Sequence, residues 1–121
     1  VKAIAKDIPP VEVDDPDDSD LLVIGWGSTY SAIRAGVQNA RRDGYKAARV
    51  HLRHLNPFPA NLGDVLSRYR RILVPELNRG QLTRLLRAEY LADTEGMSKV
   101  QGIPFKAAEI ESKIMEMSSD A

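Results

Sequence analysis

Two stretches of the chain are apolar at every position: Leu21-Leu22-Val23-Ile24-Gly25 and, within Arg71 to Pro75, Ile72-Leu73-Val74. A strand buried on one face alternates, whereas one that is apolar throughout is covered on both, as in the middle of a parallel sheet. A third stretch, Ala48 to Arg53, does alternate. Val50 and Leu52 face one way and Arg49, His51 and Arg53 the other, which predicts a strand near an edge or beneath a partner. Ser98-Lys99-Val100-Gln101 reads as a short edge strand, and Val11-Glu12-Val13 as a shorter one before the acidic turn Asp14 to Asp18. The principal strands begin near 21, 48, 71 and 98.

Helical periodicity fills the intervals. Ile33, Gly36, Val37 and Ala40 share one stripe while Arg34, Gln38, Arg41 and Arg42 face water. Ser28 or Thr29 is placed to cap this helix and Gly44 to stop it. Asn61 can cap a short helix carrying Leu62, Val65, Leu66 and Tyr69. Leu82, Leu85, Leu86 and Tyr90 form a third stripe. Ala107, Ile110, Ile114 and Met117 form a fourth, entered through Pro104. Successive strand–helix units at this spacing predict a three-layer α/β/α fold with right-handed crossovers. The strands at 21 and 71 lie side by side in its centre.

At 121 residues the chain suits one core. Residues 1–20 read as an acidic lead-in with a short edge strand, and residues 21–121 as the α/β domain. The charge is divided in the same way. The lead-in carries two lysines against seven carboxylates, a net of −5, so the remainder carries +5. Most of that surplus lies between Arg34 and Arg87. Nucleic-acid binding is one reading of it, but no aromatic residues are interleaved with the arginines to stack on bases. Basic residues on solvated helix faces are the preferred reading.

The chain has no cysteine, so it cannot ligate an iron–sulfur cluster through thiolates. No apolar run approaches the roughly 20 residues of a membrane helix, and no signal-peptide pattern opens the chain. A cytoplasmic protein that engages no membrane is expected. Without an initiator methionine, Val1 reads as the start of an excised or processed piece.

Three groups could carry chemistry. Gly25-x-Gly27 after a strand invites a phosphate reading, but the third glycine of a dinucleotide fingerprint and the acidic residue that would hold a ribose are both missing. Turn packing is therefore preferred, with Gly27, Ser28 and Thr29 as a reserve anion site. His51 and His54 have no carboxylate near them in sequence, so no metal site is expected. His54 could bond a loop or a partner. Glu76, Asn78, Arg79 and Gln81 form the densest polar cluster. Glu76 could be a general acid or base, or it could cap the Gly80 and Gln81 amides or pair with Arg53. A lone carboxylate with neither nucleophile nor metal specifies no reaction, so the structural or interface reading is preferred and no catalytic residue is expected.

Several motifs go further. Gly25-Trp26-Gly27-Ser28-Thr29-Tyr30, Leu52-Arg53-His54-Leu55-Asn56-Pro57-Phe58-Pro59, Val74-Pro75-Glu76-Leu77-Asn78 with Gly80-Gln81-Leu82, and Lys99-Val100-Gln101-Gly102 together span most of the chain. They resemble the C-terminal part of the alpha subunit of 2-oxoacid:ferredoxin oxidoreductases, most closely the 2-oxoglutarate type, in the domain similar to the C-terminal domain of transketolase. The resemblance implies a mixed, mostly parallel five-stranded sheet in the order 1-3-2-4-5. Strand 1, here Val11–Val13, would be antiparallel to the rest.

Enzymes of that family decarboxylate a 2-oxoacid on thiamine diphosphate with magnesium, pass electrons through iron–sulfur clusters to ferredoxin and form an acyl-coenzyme A. The resemblance implies that this piece is a non-catalytic assembly domain that holds none of those cofactors itself. Its partners would be the N-terminal domains of the same subunit, the beta subunit and, through the complex, ferredoxin. The candidate contacts are the Arg49, His51, Arg53 face with His54, and the edge from Glu76 to Gln81. The alternative is a stand-alone α/β module that binds phosphate or coenzyme A at Ser28 and Thr29.

Overall fold

The computed structural model describes residues 11–16, 18–53, 61–76, 81–90, 94–98 and 105–119, apart from a few side chains within them. Four strands, β1 (Leu21–Trp26), β2 (Ala48–Leu52), β3 (Arg71–Glu76) and β4 (Thr94–Ser98), form one sheet in the order β2-β1-β3-β4, with every neighbouring pair parallel. Four helices alternate with them: α1 (Tyr30–Arg42), α2 (Leu62–Ser67), α3 (Gln81–Tyr90) and α4 (Ala107–Ser119).

The pleat of the central strands sorts their side chains into two cores. Leu22 and Ile24 of β1 and Ile72 and Val74 of β3 meet Val50 and Leu52 of β2, Leu62, Val65 and Leu66 of α2, and Leu82 and Leu86 of α3. On the other face Leu21, Val23 and Leu73 pack with Ile33, Val37 and Ala40 of α1 and Ile110, Ile114 and Met117 of α4. Burying such side chains contributes about 1.5–3 kcal/mol each, so both helical layers are needed for the strands to remain inside. The arrangement is the expected three-layer α/β/α sandwich, with the strands at 21 and 71 central.

Helix α1 follows the predicted stripe, with Ile33, Gly36, Val37 and Ala40 buried, and it ends before Gly44, whose φ of 94° is the left-handed conformation of a helix stop. Gly36 lets α4 approach closely. A Cβ there would stand 2.8 Å from Ile110 Cβ and 2.9 Å from the Ala107 carbonyl oxygen.

The structure corrects several expectations. The sheet has four strands among the described residues, not five, and no antiparallel first strand. Val11–Val13 is not a strand. Only Asp14 forms an antiparallel bridge, exchanging backbone hydrogen bonds of 3.0 and 3.1 Å with Arg49. The reason is local: the Asn61 side chain takes both the Val11 amide and the Val11 carbonyl, acting in place of a ladder partner.

The last strand runs over Thr94–Ser98 and not from Ser98, while Lys99–Gln101 and Pro104 lie outside the described residues. Leu85 is 38% exposed and is not part of the α3 stripe, which buries Leu82 and Leu86. Arg41 does not face water. It donates to the Ala47 carbonyl at 3.0 Å and the Asp14 carbonyl at 2.8 Å.

The acidic lead-in is fastened by Asp15. Its carboxylate accepts hydrogen bonds from the Ser19 amide (2.9 Å), the Ser19 hydroxyl (2.8 Å) and the Tyr69 hydroxyl (2.8 Å). Burial pushes the carboxyl pKa up, but these donors and the nearby Arg41 outweigh it and hold the group below its ordinary value. Burial first, and then the bond to Asp15, push the Tyr69 phenol up to about 12.

Two predictions follow from this packing. Gly36→Ala should destabilise the fold by about 1–3 kcal/mol in urea unfolding, because neither α4 nor the Ile110 side chain has room to give. Asp15 should stabilise the fold fully above its unfolded pKa of about 4, and that contribution should be lost as pH falls through the lower folded value. The stability gap between the unaltered protein and Asp15→Asn, measured by urea melts, should therefore narrow on acidification from about pH 6 to pH 3.

Candidate functional site

With β1 and β3 central, their connections leave on opposite faces, α1 to one layer and α3 to the other. Pairing between the two strands is recorded from Leu21↔Arg71 to Val23↔Leu73. Beyond it β1 stays with β2 as far as Trp26↔Leu52, and β3 stays with β4 as far as Glu76↔Ser98. The sheet thus parts at the carboxyl ends of its central strands, which is where binding groups gather in open parallel sheets. Trp26, the Gly27–Thr29 turn and Glu76 stand at this rim.

Glu76 is 1% exposed. One oxygen accepts the Leu82 amide at 2.6 Å, and the other accepts the Thr83 amide and hydroxyl, each at 3.1 Å. These amides belong to the first turn of α3, which has no intrahelical acceptor for them. Glu76 is therefore the helix's cap and is not free to act as an acid or base. Capping was the expected structural role, but it falls on Leu82 and Thr83, not on Gly80 and Gln81, and the structure records no ion pair between Glu76 and Arg53. Asn78 and Arg79 lie outside the described residues, as does the side chain of Gln81.

At the other half of the rim, Gly27 takes a φ of 66°, which permits the tight turn into α1. The Thr29 hydroxyl donates to the Trp26 carbonyl at 3.0 Å and does not cap α1. The Ser28 side chain lies outside the described residues.

The half-polar face of β2 is the more populated site. Asp14 gathers two guanidiniums, Arg49 Nε at 2.9 Å and Arg41 Nη1 at 3.3 Å, and so ties the lead-in to both β2 and the end of α1. Arg49 also lies over the Tyr30 ring, 5.8 Å from its centroid, and His51 meets the same ring edge-on at 5.0 Å. His51 Nδ1 is buried with no hydrogen-bond partner. Burial foremost, then Arg53 and Arg49, hold the imidazole pKa below its ordinary value, so His51 is neutral at pH 7. Arg53 is exposed beside it, and His54 lies outside the described residues.

Arg49, His51 and Arg53 thus come together as expected, while Glu76 serves a helix on the opposite layer. Asp14 and Tyr30 were missed. Asp14 is hidden in a run of similar carboxylates, and Tyr30 stands just off the apolar stripe of its helix. Among the described residues no three His, Cys, Asp or Glu side chains converge as metal ligands, and no helix is long and apolar enough to cross a membrane.

Residues 19–111 match the family model of pyruvate:ferredoxin oxidoreductase core domain II. Over 104 residues, 85% of the chain, the sequence is 55% identical to the 2-oxoglutarate oxidoreductase subunit KorA of Mycobacterium tuberculosis. The chain spans 16% of that relative's length. A solved structure of 2-oxoglutarate:ferredoxin oxidoreductase from Magnetococcus marinus, with 2-oxoglutarate, coenzyme A and succinyl-CoA bound, superimposes with a TM-score of 0.82 at 28% identity, covering 90% of this chain and 20% of that one. A split-gene transketolase shares the fold at a TM-score of 0.63 and 13% identity, covering 87% of this chain and 40% of its own.

Removing the buried cap has a defined cost. Glu76→Ala should destabilise the fold by about 2 kcal/mol or more in denaturant unfolding, since it strands two helix amides and a hydroxyl. Hydrogen exchange at Leu82 and Thr83 should rise, and amides of α1 should be unaffected.

Proposed function

The chain belongs to the pyruvate:ferredoxin oxidoreductase core domain II family, and from that premise we propose that it is the transketolase-C-terminal-like domain of the alpha subunit of a 2-oxoglutarate:ferredoxin oxidoreductase, serving assembly without performing chemistry. The parent enzyme would oxidatively decarboxylate its 2-oxoacid, transfer the acyl group to coenzyme A and reduce ferredoxin. The observation that carries this reading is the 55% identity to KorA over 85% of the chain.

The domain's own residues fit the non-catalytic part. A cysteine-ligated cluster has no ligand here, since the chain has no cysteine. The magnesium that accompanies thiamine diphosphate calls for hard oxygen ligands, yet Glu76 and Asp15 are committed to amides and hydroxyls, and Asp14 to two arginines. The cofactors are therefore assigned to the remainder of the parent complex, and no step is routed through this domain. Its contribution is a rigid α/β body with the Arg49, His51, Arg53 face turned outward, against which other parts of the alpha subunit and the beta subunit would pack. A cytoplasmic setting belongs to the same proposal.

Purified chain supplied with 2-oxoglutarate, coenzyme A, thiamine diphosphate, magnesium and oxidised ferredoxin should form no succinyl-CoA. The full alpha subunit, assembled with its beta subunit, should form it. Turnover by the 121-residue chain alone, or full activity in an assembly lacking this domain, would overturn the proposal.

A further inference from the structure

On the α1 side of β2 lies a patch whose bonding capacity the domain does not use up. Tyr30 is 43% exposed, and it and Leu85 are the exposed large apolar side chains among the described residues. Its ring is fixed in place by Arg49 and His51. Three guanidiniums, Arg41, Arg49 and Arg53, surround the patch, and among the described residues Asp14 is the one carboxylate within ion-pair distance of any of them. His51 is half-buried on the same strand row as Arg49 and Arg53. Tyr and Arg are also the side chains that dominate binding energy at interfaces.

The domain already shows what chemistry the patch accepts. Asp14 reaches it on an extended segment whose backbone bridges to Arg49, and its carboxylate is taken by Arg41 and Arg49 together. Among the described residues no carboxylate forms an ion pair with Arg53, a little farther along the same face. A nucleic-acid base is a poorer match, because Tyr30 gives a face of its ring to Arg49.

We infer that Tyr30, His51 and Arg53 dock a carboxylate-bearing segment of a second polypeptide in the assembled enzyme. Tyr30 supplies the apolar anchor and Arg53 takes the carboxylate, with the half-buried His51 between their positions on the face as the group whose surroundings report the contact. The inference rests on the reading of the chain as an assembly domain, and it names the chemistry of the partner at that face.

The test compares the parent alpha subunit with its Arg53→Glu, Arg53→Lys and Tyr30→Ala variants, each checked for an unchanged melting temperature. Association with the beta subunit is measured by analytical ultracentrifugation at several salt concentrations. Arg53→Glu and Tyr30→Ala should each weaken association by about tenfold or more, while Arg53→Lys stays within about threefold and association of the unaltered protein declines with salt. In addition, the His51 imidazole, followed by NMR, should titrate at higher pH in the complex than in the free subunit, and Arg53→Glu should abolish that difference.

Association of both disruptive variants within about twofold of the unaltered protein would overturn the inference. So would loss of coenzyme A binding with association intact, which would make the occupant a small anion. Either result would leave the assembly reading standing. Failure of the unaltered subunits to associate or turn over would instead sink that reading itself.

Discussion

The rest of the structure depends on two strands that cannot show either face to water. Leu21 to Ile24 and Ile72 to Val74 are all buried, so apolar cover is required above and below the sheet. Right-handed crossovers supply it in one way only. From β1 to β2 the chain steps outward over one face, and from β2 past β1 to β3, and on to β4, it travels over the other. The reversal between β1 and β3 is therefore a consequence of burial, and with it comes the parting of the sheet at their carboxyl ends.

Burial of the strands also explains what the carboxylates do. Among the described residues three carboxylates lie at seams between two elements, where backbone groups, a hydroxyl or arginines meet them. Glu76 closes the start of α3, Asp15 holds the lead-in to Tyr69, and Asp14 ties β2 to the end of α1. A group with all its acceptors in use stabilises the fold and is unavailable for proton transfer. These three side chains fasten α3, the lead-in and β2 to their neighbours.

Burial patterns made the core legible in the sequence. The continuous apolar runs identified the central strands, the alternation of Ala48 to Leu52 identified an edge strand with an outward row, and the 3.6-residue period of Ile33, Gly36, Val37 and Ala40 identified the inner face of α1. What failed was carried by single hydrogen bonds. Asn61 removed Val11 from the sheet by taking its backbone groups, and no pattern in the sequence announces a contact across 50 residues. The last strand was expected from Ser98 to Gln101, yet β3 pairs with Thr94–Ser98, where a Cβ on Gly96 would stand 3.3 Å from Thr83 Oγ1. The site was half legible for the same reason. Its arginines and histidine follow from strand alternation, but Asp14 and Tyr30 enter by tertiary contact.

The chain spans 16% of the length of the KorA relative, and the proposed assembly role calls for polar groups left over from enclosing the core. In this fold that reserve lies on one side. The face of β2 that carries Val50 and Leu52 is closed by α2 and α3, whereas among the described residues the row of Arg49, His51 and Arg53 meets Tyr30 in the first turn of α1, Arg41 at its far end through Asp14, and Asp14 itself. On the proposed assembly role, an exposed arginine without a carboxylate partner would be satisfied by a group on another chain. In that proposed role the outward row of β2 is the place where a partner would join, since its other face is spent on enclosing β1 and β3.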